Sequence, residues 1–151
     1  MNEFTIITTI GRPVDEVFAA ITDIPQMPVW NPGLAEARLT GNGPLAPGAT
    51  IVATGTFLGR SYTTHQVCTG LTENTLFATR TTSGPFYLEV ETALEPTPDG
   101  TRVTSIYRGE SHGFFKLAEP LVVRLARKQF ETAYENLRTL LEERALSPHG
   151  S

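Results

Sequence analysis

Residues 120–144, PLVVRLARKQFETAYENLRTLLEER, break the pattern of everything before them. Leu121, Val122, Leu125, Phe130, Ala133, Leu137, Leu140 and Leu141 follow helical spacing, which puts one apolar stripe on a single long helix. Glu119 and Pro120 suit its start, since proline's missing N–H costs nothing in a first turn, and ALSPHGS suits a frayed end. At 1.5 Å per residue the helix is about 37 Å long, enough to cross a domain. GFFKLAE, just ahead of it, reads equally as an extra turn kinked at Pro120 or as a loop.

Upstream, the period is two. EFTIITTI, residues 3–10, is rich in β-branched residues and reads as a strand ending at Gly11. Pro13 then opens a short helix, with Val14, Val17, Phe18 and Ile21 on one face and Arg12 as a poor N-cap. DIPQMPVWNPG holds three closely spaced prolines and allows one helical turn before a loop. GNGPLAPG is a strong break, and from Ala49 to Glu110 strands alternate with the turn signals LGRS, TEN, TSGP and PTPDGT, the pattern of an antiparallel meander.

The totals narrow the function classes. A chain of 151 residues is one ordinary domain, expected over 1–146 with a flexible tail at 147–151. Its 40% hydrophobic and 19% charged content, with no apolar run near the roughly 20 residues of a membrane span, predicts no membrane insertion. MNEFTIITTIGRP lacks the layout of a secretory signal, so the expected location is cytoplasmic. The single cysteine, and the absence of C-x2-C and H-x3-H spacings, argue against a metal site, and nothing points to a cofactor. A net charge of −4 without a basic block disfavours nucleic acid, and Arg124, Arg127 and Lys128 read as a solvated helix face.

Three stretches, PVDEVFAAITDIPQMPVWNPG, GTRVTSIYRGE and KLAEPLVVRLARKQFETAYENLRTLLEE, resemble the SRPBCC superfamily, specifically its polyketide cyclase/dehydrase and lipid-transport-like group, related to START domains and the birch-pollen allergens. The resemblance spans nearly the whole chain but lies in core positions rather than in a chemical signature. It implies an α+β helix-grip fold: a curved antiparallel sheet of about seven strands around a long C-terminal helix, with two short helices after the first strand. It also implies an internal cavity for hydrophobic small molecules. Such a cavity should be a single, mostly apolar space of at least roughly 300 Å³.

Alternation assigns the cavity face. In FYLEVETAL, Phe86, Leu88, Val90, Thr92 and Leu94 point inward. A two-residue Asp99-Gly100 turn sets Thr92 opposite Tyr107 and turns Val103, Ser105 and Tyr107 inward as well. A Gly59-Arg60 turn sets Thr54 opposite His65, and because Val67 and Leu71 look more inward than Gln66 and Gly70, His65 is expected inside and Cys68 outside; the opposite register would line the cavity with Phe57, Tyr62, Gln66 and Cys68 instead. A five-residue TTSGP loop adds Leu76, Ala78 and Arg80; a four-residue loop instead turns Phe77 and Thr79 inward. His65 and Cys68 are three apart on a strand, on opposite faces, and form no nucleophile–base pair.

The expected polar lining is therefore Thr54, His65, Arg80, Thr92, Ser105 and Tyr107. Leu88, Val90, Phe18, Met27, Trp30, Leu121 and Leu125 supply walls, and Phe114 and Phe115 supply wall or gate. Binding of a lipid, polyketide or aromatic compound is the leading expectation. The alternative is a cofactor-free cyclase/aromatase or dehydratase in which His65, Arg80 or Tyr107 handles protons or stabilises an enolate. Regulation of a partner through a liganded surface is a third.

Overall fold

Strand β1 (Asn2–Ile10) leads into α1 (Val14–Thr22), which buries Val17 and Ile21, then a 3-10 turn at Ile24–Gln26 and the single turn α2 (Met27–Trp30). The computed structural model describes residues 2–146, so the expected tail at 147–151 lies outside the described residues. The meander continues as β2 (Leu34–Leu39), β3 (Thr50–Phe57), β4 (Arg60–Thr72), β5 (Leu76–Ser83), β6 (Phe86–Thr97) and β7 (Gly100–Ser111). GFFKLA forms a 3-10 helix, and α3 (Glu119–Leu146) runs 28 residues, about 42 Å at 1.5 Å each.

The seven strands form one antiparallel sheet in the order β1-β7-β6-β5-β4-β3-β2. This is the expected helix-grip architecture. Toward the C-terminal half of α3, Ala133, Leu137 and Leu141 pack with Ile10, Leu94 and Val103 in the main core. Glu119 fixes the other end: it accepts the Ser111 backbone N–H at 3.0 Å and the Asn2 amide at 2.7 Å. Those bonds, the Ser111 N–H first, hold its carboxyl below the usual range.

Register explains which side chains meet under the helix. The two-residue turns are Leu58-Gly59 and Pro98-Asp99, one residue earlier than the sequence suggested, so Thr92 faces Ser105 and Val52 faces His65. A shift of pairing by two keeps every side chain on its face. β6 and β7 pair without a break, and the inward set Phe86, Leu88, Val90, Thr92 and Tyr107 is as expected.

β4 and β5 differ. Thr69 is an extra residue between the pairs Cys68–Thr79 and Gly70–Ala78, a bulge that reverses alternation along β4. Leu71 packs on the core, but the inference from Leu71 back to Val67 crosses the bulge and fails. Thr64, Gln66 and buried Cys68 therefore face the helix, while exposed His65 and half-buried Thr54 lie on the outer face. The β5–β6 connection is only Gly84-Pro85, which turns Phe77, Thr79 and Thr81 inward and leaves Arg80 exposed opposite Glu89.

Candidate ligand-binding cavity

A cavity of about 190 Å³ lies between the sheet and the N-terminal half of α3. It is smaller than the sequence-based expectation because aromatic rings fill much of the grip. It exists because the residues facing each other there are short. Val122 and Ala126 stand on the helix, and Ala53, Thr64, Thr81 and Gly109 on the sheet. Gly109 cannot carry a side chain, since a Cβ would sit 2.3 Å from the Tyr87 carbonyl oxygen.

Aromatic clusters close two sides. On one, Tyr107 stacks between Phe4 and Phe130, with centroid separations of 5.0 and 4.3 Å, and Trp30 lies 5.8 Å from Tyr134. On the other, Phe57, Tyr62 and Phe86 meet edge to face, backed by buried Phe115. Such packing contributes beyond area burial, so both clusters are stiff walls.

Polar groups gather at two places. Ser105 donates to the Tyr134 hydroxyl at 2.8 Å and lies 3.2 Å from Thr92 Oγ1, with Tyr107 in the same group. Across the sheet, Gln66 donates to Thr64 Oγ1 at 3.2 Å, and Thr81 Oγ1 accepts the Leu88 backbone N–H. The buried indole N–H of Trp30 has no acceptor among the described residues. The cavity is thus mostly apolar with hydroxyl groups at two places on its wall, those of Thr64 and Thr81 engaged with Gln66 and the Leu88 N–H, a lining suited to a mostly hydrophobic molecule bearing a polar atom.

Met27, Trp30, Leu88, Val90, Thr92 and Tyr107 line the cavity as expected, and Ser105 is wholly buried behind Thr92. The other expected wall residues fall elsewhere. Phe18 packs against the core beyond the cavity, Phe115 backs the second aromatic cluster, and Phe114 and Leu121 are exposed. Leu125 borders a separate shallow cleft with Pro32, Leu58 and Lys128, because α3 turns Val122 and Ala126 inward and Leu125 sideways. Phe57 and Gln129 touch both spaces and form the partition between them.

His65, Thr54 and Arg80 are excluded by the β4 bulge and the short Gly84-Pro85 turn. His65 Nδ1 lies 3.1 Å from Ser83 Oγ on the outer face. Cys68, on the opposite face, points its thiol at the Gly70 carbonyl at 3.4 Å, and burial pushes its pKa up. Tyr134 was missed by sequence reasoning although it stands four residues after Phe130 and three before Leu137, the spacing that marks the inner stripe of the helix. Gln66 belongs to the alternative face that the sequence also offered, which the β4 bulge brings inward, and Thr81 was assigned to the TTSGP loop rather than to β5.

The Tyr107 phenol is held well above the ordinary tyrosine value, first by burial, then by the neighbouring Tyr134 and its hydrogen bond. It is neutral and able to donate. The stability tied to that neutral phenol is fully present below the unfolded value of about 10 and is lost as pH rises from there through the higher folded value. Urea midpoints measured across alkaline pH should therefore fall less steeply in Tyr107→Phe than in wild type. Equal slopes would contradict the buried, neutral Tyr107.

The family model described as polyketide cyclase / dehydrase and lipid transport matches residues 1–142. No curated protein matches the sequence. Among solved structures, a START superfamily protein from Mycobacterium smegmatis is similar at 18% identity and a TM-score of 0.79, covering 93% of this chain and 97% of its own. A Thermus thermophilus protein is similar at 17% identity and a TM-score of 0.79, over 91% of this chain and 94% of its own. Ara h 8.0201 is similar at 14% identity and a TM-score of 0.74, over 94% and 98%. At these identities the structures speak to fold.

Proposed function

The chain belongs to the polyketide cyclase / dehydrase and lipid transport family, whose START and birch-pollen-allergen-like fold generally binds hydrophobic ligands, and from that premise we propose that it binds a small hydrophobic molecule of one or two fused rings carrying a hydroxyl or carbonyl. The observation that carries the reading is the 190 Å³ apolar cavity lined by Thr92, Tyr107 and Tyr134, with Ser105 bonded to Tyr134 behind them. An engineered apolar cavity of about 150 Å³ takes up benzene, so this one has room for a slightly larger ring system. The tyrosine hydroxyls offer the ligand's oxygen a hydrogen-bond partner, which is worth most where water is excluded.

Calorimetry with 2-naphthol and naphthalene tests this. Wild type should prefer 2-naphthol by about tenfold, and Tyr134→Phe should erase most of that preference while leaving naphthalene affinity nearly unchanged. Equal losses for both ligands would count against a polar contact at Tyr134, and absence of binding to either would count against the reading.

A second reading, cofactor-free cyclisation or dehydration in the same cavity, draws support from the family description and from the neutral Tyr107 phenol, with the Tyr134 hydroxyl beside it, as donors to an enolate oxygen. Of the three residues the sequence offered for proton handling, His65 and Arg80 point away from the cavity, so this reading rests on Tyr107 with Tyr134.

A further inference from the structure

Outside the Phe57–Phe86–Phe115 cluster, the surface is apolar where solvent would favour polar residues. Leu117 is 88% exposed, Phe114 48%, and Leu58 and Leu121 each 40%. Phe114 packs on Phe115, Phe115 on Phe57 next to Leu58, and Arg60, just after the Leu58-Gly59 turn, lies 3.9 Å over the Phe114 ring; Leu117 and Leu121 follow Phe114 by three and seven residues, in the same 3-10 helix and in the first turn of α3. Leu58 is the most telling. It holds φ at 51° ahead of Gly59 at 75°, a two-residue turn in which asparagine or glycine is relaxed and leucine is strained. Neither backbone preference nor core packing accounts for a leucine there. An apolar partner outside the chain does.

Charge says what kind of partner. Although the chain carries −4 overall, residues 112–128 hold Lys116, Arg124, Arg127 and Lys128 against the single carboxylate Glu119, whereas residues 129–144 hold more acids than bases. Glu119 is occupied by Lys116 and by the Ser111 N–H. Arg60, Arg124 and Lys128 make no ion pair among the described residues. Protruding apolar side chains with Arg60 over Phe114 and Lys128 beside Leu58 match the headgroup boundary of an anionic bilayer, where leucine and phenylalanine enter the acyl region and lysine and arginine stay with the phosphates.

We infer that this face docks on an anionic lipid surface. Docking of this kind needs no spanning helix, and no helix among the described residues is long and apolar enough to cross a membrane. The face lies directly outside the aromatic cluster that closes one side of the cavity, so docking would bring that side to the bilayer. Docking does not depend on the cavity's ligand, and vesicles report on it whether or not the cavity is filled.

The test is flotation with phosphatidylcholine vesicles, pure or doped with phosphatidylserine, at low and high salt. The protein should float with the doped vesicles, less so at high salt and hardly at all with pure phosphatidylcholine. Leu117→Asp and the pair Arg124→Glu/Lys128→Glu should each weaken binding at least about tenfold. Leu58→Asn relaxes the turn, so it should melt at or above wild type and yet float less, which separates docking from folding. Failure to float with any vesicle overturns the inference. So does charge-dependent binding that ignores Leu117→Asp and Leu58→Asn, which would indicate an acidic protein partner, or concentration-dependent self-association abolished by Leu117→Asp without flotation, which would indicate a second copy.

Discussion

Ala126→Trp should abolish small-molecule binding, lowering affinity for 2-naphthol at least about 100-fold, or about 2.7 kcal/mol, while Leu125→Trp leaves it nearly unchanged. The contrast rests on one step along α3. Ala126 faces the cavity together with Val122 and Phe130, and Leu125 faces the outer cleft. An indole at position 126 would occupy much of a 190 Å³ space. Overpacking costs about 1–3 kcal/mol of stability, so melting curves must show both variants folded at the assay temperature. Binding retained in Ala126→Trp, or lost only in Leu125→Trp, would move the site to the cleft.

The second large effect is structural. β2 carries a bulge opposite Gly55, and the loop before it crosses β3 so closely that the Gly33 carbonyl accepts the Thr56 N–H at 3.2 Å. A Cβ on Gly55 would sit 2.1 Å from that carbonyl oxygen and 2.8 Å from the Tyr62 hydroxyl. Backbone must move to admit it. Gly55→Val should cost about 3 kcal/mol or more and lower the melting temperature by about 6–12 °C. Gly43→Val is the control, since nothing lies within 4 Å of its Cβ position. The same displacement parts the 31–34 loop from β3 beside Gln129, so the surviving folded protein should also bind naphthol less tightly. A Gly55→Val variant as stable as wild type would contradict the close crossing.

The fold was legible because its signals are long and redundant. The apolar stripe of α3 recurs from Leu121 to Leu141, about six turns, and the strands of the second half carry β-branched residues between plain turn sequences. Within the site, legibility tracked regularity of pairing. β6 and β7 run from Phe86 to Ser111 without a bulge, and the inward positions Leu88, Val90, Thr92 and Tyr107 could be read from alternation even with the turn misplaced by one residue. β4 and β5 carry two irregularities, at Thr69 and Thr82, and each reverses the face of the residues beyond it. Alternation cannot reveal an extra residue, so His65 was placed inside ahead of Thr64 and Gln66, while the five-residue TTSGP loop placed Arg80 inside where the two-residue Gly84-Pro85 turn places Thr81.

The helix posed a different problem. Its apolar stripe is wider than the cavity, and sequence spacing alone does not separate Ala126 and Tyr134, which meet the cavity, from Leu121 and Leu125, which do not. That separation depends on the angle at which α3 crosses the sheet. The crossing is set by Glu119 on Ser111 at one end and by Leu137 and Leu141 in the core at the other, contacts made only after the chain has folded.

The central claim is that the space between α3 and the sheet holds a small ring system with its oxygen at the Tyr134 wall. Intermolecular nuclear Overhauser contacts between 2-naphthol and the methyl-labelled protein test it most directly. The account predicts contacts from the ring protons to the methyl groups of Ala53, Val90, Val122 and Ala126, with the hydroxyl-bearing edge nearest Tyr134. Contacts confined to Leu58, Leu117 or Leu121 on the outer surface, or none at saturating naphthol, would contradict it.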